Sequence, residues 1–243
     1  MADFNPAFDI RASAAARPAE ILEGARVRYC IVGDFVVLGL DYPIVPCDVQ
    51  VAVNDEELET ARVALAANDY NEVPQTHQGF FSESATRESK TGWPGYRFLL
   101  KDGGPHTTST IIMPASYWHF DLGPRSWEEN TFLISDTLCR FPRQVPYFQF
   151  MAIIINVISN RYGEEGLNFL ISGYLQSHYT YLIVLLNDIL ERLPTEDQYF
   201  VENFRRGMLI RSRKMVCQQR LQIRDGELPL DTHRGSDGST LDG

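Results

Sequence analysis

The sequence lacks most of the short signatures that announce an activity. It has no G-x-S-x-G, no G-x-G-x-x-G and no Walker A motif; "GDFVVLG" (33–39) lacks the Lys-Ser/Thr. Those absences exclude the usual serine hydrolase, dinucleotide and P-loop readings. Its four cysteines, Cys30, Cys47, Cys139 and Cys217, form no C-x-x-C pair and show no zinc-ligand spacing. They read as reduced thiols, with Cys30 and Cys47 buried in strand-like stretches. No apolar run approaches the ~18 residues of a membrane span; "FMAIIINVI" (150–158) is too short. The first residues, MADFNPAFDIRASAAARP, have no basic segment followed by an apolar one, so no secretory signal is predicted. A cytoplasmic location is the expectation. Basic charge is scarce: 22 Lys and Arg stand against 32 Asp and Glu, a net charge of -10. Nucleic acid is therefore not expected as a partner, and neither is a membrane.

What is present is a 243-residue chain that is 44% hydrophobic, enough for a sizeable core. Residues 1–17 read as a flexible start, and 225–243 as a disordered acidic tail. Between them the pattern changes once. From 18 to 130 short elements alternate. A helix is predicted over Pro18–Gly24, a strand over Val27–Val32 ended by Gly33, and a short helix from Asp34 that Tyr42-Pro43 breaks. A second strand follows over Val45–Val53. Asn54-Asp55 caps an amphipathic helix, "EELETARVALAAND". "GYRFLLKDGG" and "TTSTIIMPAS" read as a strand and its return. From about 132 the pattern is helical: "PYFQFMAIIINVISNRYG", "GLNFLISGYLQSHYTYLIVLLNDILERL" and a last helix from Thr195. The expected fold class is α+β. A small mixed sheet with flanking helices (18–130) precedes a helical domain (131–224), with a cleft between them.

The strand "VPCDVQVAV" raises the chemical question. Asp48 and Gln50 share one face of a strand, because residues two apart point the same way. Strand, Gly33-Asp34 turn, short helix and a strand bearing Asp48 together resemble the nucleotidyltransferase fold over about 25–125. "YCIVGDFVVLGLDYPIVPCDVQVAV", "DEELETARVALAAN" and "IIMPASYWHF" are similar to a group of fungal proteins with a degenerate version of it. The resemblance implies a glycine turn that holds a triphosphate, two carboxylates on the second strand and a third from a later strand, around two magnesium ions. This chain departs from that pattern. Asp34 follows the glycine, where a carboxylate repels phosphate. Gln50 stands where the second metal ligand belongs. The returning strand "TTSTIIM" offers no carboxylate, and Asp102, in the turn before it, is a poor substitute. One carboxylate in place of three binds magnesium weakly.

The expectation is thus no metal and no cofactor. The cleft is expected to be repurposed for an apolar small molecule, in a metal-independent cyclase or isomerase, including a pericyclic reaction of the Diels–Alder type. The fungal resemblance suggests secondary metabolism as the setting. Two alternatives stand beside it: an authentic magnesium-dependent nucleotidyltransferase, and a non-catalytic binding or regulatory protein. The catalytic candidates are Gln50, Asp48 and His119. The substrate-binding candidates are Asp34, Tyr42, Tyr96, Arg97 and Trp118. Gln50 would donate to a carbonyl, while the aromatics would line the pocket. Ordinary core packing is the competing reading of those aromatics; strand placement makes Asp48 the strongest candidate. The last helix gathers Arg205, Arg206, Arg211, Arg213, Lys214, Arg220 and Arg224, either an anion-binding surface or a solvated face. The oligomeric state is not legible.

Overall fold

The computed structural model describes residues 14–39, 46, 48–74, 93–103, 108–134, 137–149, 191–199 and 219–227. The chain separates into two compact units, Met1–Leu185 and Leu186–Gly243.

In the first unit, α1 (Ala16–Gly24) buries Pro18, Ala19, Ile21 and Leu22 along one face. It begins one residue before the flexible start was expected to end, with Ala15 already fully buried. β1 (Tyr29–Val32) is a four-residue apolar strand, buried throughout. Gly33 closes it at φ 68°, a left-handed backbone that glycine adopts without strain. α2 (Asp34–Gly39) follows at once. β2 (Asp48–Val53) is shorter than the strand expected from Val45, and every residue of it is buried. The Asn54 side chain then accepts the Glu56 N–H at 3.2 Å, opening a short 3-10 turn (Asp55–Glu57) that runs into α3 (Leu58–Ala67). The acidic residues of that turn sit where the helix dipole favours them. β3 (Tyr70–Val73), β4 (Tyr96–Leu100) and β5 (Ser109–Pro114) complete the sheet.

The strand order is β1-β2-β5-β4-β3. β2 and β5 run parallel, whereas β1/β2, β4/β5 and β3/β4 are antiparallel. The architecture is α+β, with a five-stranded mixed sheet. β2 is thus an interior strand with neighbours on both sides. The alternation assigns the two faces. Tyr96 donates through its hydroxyl to Glu59 of α3 at 3.3 Å, so its face lies under α3. Val49, Val51, Thr110 and Ile112 share that face by register. The opposite face carries Asp48, Gln50, Ser109, Ile111 and Arg97.

Three parts of the first unit differ from the sequence expectation. β3 has only Tyr70 buried, so it shows no apolar alternation to read. A short 3-10 helix (Ala115–Trp118) and α4 (Pro124–Asn130) follow β5. β6 (Thr131–Leu133) and β7 (Arg140–Pro142) then form an antiparallel ribbon where helix was expected. Three-residue strands are too short to show a period of two. Helix does begin at 144 and continues through 149. The expected helices beyond it fall mostly outside the described residues, as do Cys47, Cys217 and 228–243.

Of the described cysteines, Cys30 and Cys139 are buried and free. Burial pushes the Cys139 thiol up to about 11, and the Cys30 thiol well above its ordinary value. Neither supplies appreciable thiolate at neutral pH. Iodoacetamide applied to the folded protein at pH 8 is expected to leave both unmodified, and to label both after denaturation; peptide mass mapping checks this.

No described helix is long and apolar enough to cross a membrane. In the second unit, Arg220 is not part of a solvated basic face. It is 4% exposed and holds Asp197 through Nε at 2.7 Å. Arg224 pairs with its neighbour Asp225 at 2.8 Å. The other five basic residues of that helix lie outside the described residues.

Candidate functional site

Three neighbouring strands bring polar side chains together on the sheet face opposite α3. β2 contributes Asp48, β5 contributes Ser109 directly across the parallel ladder, and β4 contributes Arg97, in register with Ile111. The Ser109 hydroxyl donates to Asp48 Oδ1. Arg97 donates from Nη2 to the same oxygen at 3.4 Å, and from Nε to Ser109 Oγ at 3.0 Å. All three residues are less than a tenth exposed. Burying a lone carboxylate is costly, and an adjacent guanidinium is the usual compensation. The register of the three strands therefore builds a charge-neutral triangle at the start of β2.

Gln50 is next on the same face and is 2% exposed. Its cross-strand neighbours are Val32 on β1 and Ile111 on β5, both fully buried and neither able to hydrogen-bond through the side chain. Among the described residues, the Gln50 side-chain oxygen has no hydrogen-bond partner.

The glycine turn is also engaged. The Gly33 N–H donates to the Tyr147 hydroxyl at 3.1 Å. Tyr147 is 1% exposed, and burial drives its phenol far above the ordinary range, so it stays neutral. Asp34, the first residue of α2, is 2% exposed beside this turn.

These residues do not suit the magnesium pair that the sequence resemblance implies. Asp48 already accepts from Ser109 and Arg97, and a guanidinium beside that carboxylate repels a divalent cation. Gln50 brings no charge. The same face of β5 offers Ser109, Ile111 and Met113. Asp102 is exposed in the turn after β4. Among the described residues, no group of three His, Cys, Asp or Glu is placed to hold a metal ion.

The sequence-selected residues are only partly gathered. Asp48, Gln50 and Arg97 share one buried face. Tyr96 points to the other face, where it bonds Glu59 and lies under the Arg62 guanidinium, 4.6 Å from its ring centre. It does not join Asp48, because the residue before Arg97 must face the opposite way. Trp118 is fully buried and stacks on Trp93, with ring centres 6.0 Å apart and planes 15° from parallel. Tyr117 meets both tryptophans edge-on. The three rings pack against one another. His119 is exposed, with φ 53°, at the end of the 3-10 helix that follows β5. It lines an open cavity of about 750 Å³ together with Arg28, Asn54, Asp55, Ser116 and Asp121. That cavity lies beyond the far ends of β2 and β5. The six residues of β2 separate it from Asp48 by about 17 Å. His119 therefore does not act with Asp48. Tyr42 lies outside the described residues.

Sequence reasoning missed Ser109 and Tyr147. Ser109 opens the returning strand, and knowing that β5 runs parallel to β2 would have placed it opposite Asp48. Tyr147 reaches Gly33 across 114 residues, and no local pattern signals that contact.

No protein-family model matches the chain, and no curated protein matches it. Among solved structures, the chain is similar to the crystal structure of an antigenic nucleotidyltransferase-like protein from Paracoccidioides brasiliensis: the two are 13% identical with a TM-score of 0.34, over 73% of this chain and 86% of that one.

Proposed function

We propose that this chain is a nucleotidyltransferase-like fold that has given up metal-dependent nucleotidyl transfer and binds a neutral small molecule on the buried polar face of its sheet. The observation that carries this reading is the commitment of the Asp48 carboxylate to Arg97 and Ser109. A strand carboxylate free to hold magnesium needs open oxygens and further anionic ligands around it. Here a guanidinium lies 3.4 Å from that carboxylate. The engagement of the Gly33 amide by Tyr147 supports the same reading, since a triphosphate cradle requires such amides to be available.

A neutral, buried face does its work by orientation. Holding a flexible molecule in one geometry lowers a unimolecular barrier by several kcal/mol without a charged catalyst. The chemistry that suits it is an isomerisation or cyclisation of the bound molecule, including a pericyclic one, with Gln50 and Asp48 as its polar contacts. His119, Tyr96 and Trp118 have no part in this proposal.

Calorimetric titration with magnesium and each common nucleoside triphosphate tests the loss of transfer chemistry. No binding that depends on Asp48 is expected. Micromolar binding in the wild type that disappears in Asp48→Asn would restore the transferase.

A further inference from the structure

We infer that Gln50 is the residue by which this face selects its ligand, and that it takes a neutral molecule presenting an N–H or O–H donor beside a carbonyl, as the edge of a cyclic amide does. The inference rests on the proposal that the face is a metal-free binding surface, and adds the class of ligand.

Its ground is a buried side-chain oxygen with no hydrogen-bond partner among the described residues. Gln50 stands in the middle of β2, an interior strand, and is 2% exposed. Its neighbours on the face explain why its oxygen finds no donor there. Val32, Ile111 and Ala52 are apolar, and Asp48, two positions back, offers an acceptor whose charge Arg97 already balances. A buried amide oxygen without a donor loses its hydration and gains nothing for the fold. A β-branched or thioether side chain suits an interior strand better. A residue that costs stability where an apolar one would help is the pattern of a site maintained for binding.

The chemistry of the side chains around Gln50 then sets the ligand. The orphan atom is an acceptor, so the ligand must bring a donor. A primary amide pairs best with an edge that carries a donor and an acceptor side by side. The Asp48–Arg97 pair is internally neutral, so no net charge on the ligand is called for. Valine and isoleucine on either side favour an apolar body around the polar edge. A nucleotide, with its phosphates, is the wrong class.

The test uses the full chain and two probes, 2-piperidone and N-methyl-2-piperidone, followed by the NMR signals of glutamine side-chain amides. The Gln50 signal is assigned by its loss in Gln50→Met. Millimolar 2-piperidone is expected to shift that signal, and the N-methyl compound, which lacks the donor, to bind about tenfold more weakly. Gln50→Met is expected to abolish binding while raising the melting temperature of the ligand-free protein by roughly 2–10 °C. Equal binding of the two lactams, no binding of either, or a lower melting temperature in Gln50→Met would each overturn the inference. Neither lactam involves magnesium or phosphate, so such a failure leaves the metal-free reading standing. That reading is tested separately, by Asp48-dependent nucleotide binding.

Discussion

Arg97→Ala is expected to destabilise the protein by about 3–5 kcal/mol, the cost of leaving a buried carboxylate without its cation. Both partners have side chains little more than a tenth exposed or less, so solvent cannot take over the role of the guanidinium. Ser109 still donates to Asp48 Oδ1, but a hydroxyl brings no compensating charge. Arg62→Ala provides the contrast. Its ion pairs with Glu59 and Glu72 are exposed by more than a third on each side, and exposed pairs contribute about 0–1 kcal/mol. Urea denaturation of the two variants measures the difference. Equal, small losses would mean that the buried triangle does not hold Asp48.

Gly95→Ala is expected to cost about 2–6 kcal/mol, combining backbone strain with overpacking. Gly95 has φ +105°, a conformation that side chains resist. A methyl group built there would lie 2.1 Å from the Ile112 carbonyl oxygen, and backbone cannot swing aside as a flexible side chain does. The position matters because Gly95 delivers the chain into β4, whose Tyr96 pairs with Ile112 and whose Arg97 reaches Asp48. The variant should therefore disturb the polar triangle as well as the strand. Its melting temperature reports the first effect. A loss below about 1 kcal/mol would show that the β4 entry relaxes easily, unlike a typical strained glycine.

Much of the site strand could be read before any coordinates. The period of two in "DVQVAV" set Asp48 and Gln50 on one face and Val49 and Val51 on the other, and the sheet register agrees. The Asn54 cap, the Gly33 stop and the helix after it follow from local chemistry that needs no tertiary context. What decides the chemistry is non-local. Whether Asp48 holds a metal or an arginine depends on how β2, β5 and β4 line up, over separations of 49 and 61 residues. The Tyr147–Gly33 contact is more distant still. His119 and Trp118 looked available because aromatic and histidine residues clustered in "YWHF". Residue type could not tell that one is exposed at the far end of the sheet and the other stacked in the core. The short strands β3, β6 and β7 were illegible for a simpler reason: three or four residues with mixed burial carry no period.

The most direct test of the central claim, that Asp48 serves Arg97 and not a metal, is a double-mutant cycle with Asp48→Asn and Arg97→Met, read by urea denaturation. The predicted result is that each single variant is destabilised, that the double variant recovers much of the loss, and that the coupling is about 1.5–3 kcal/mol. Additive losses, with no coupling between the two positions, would contradict it.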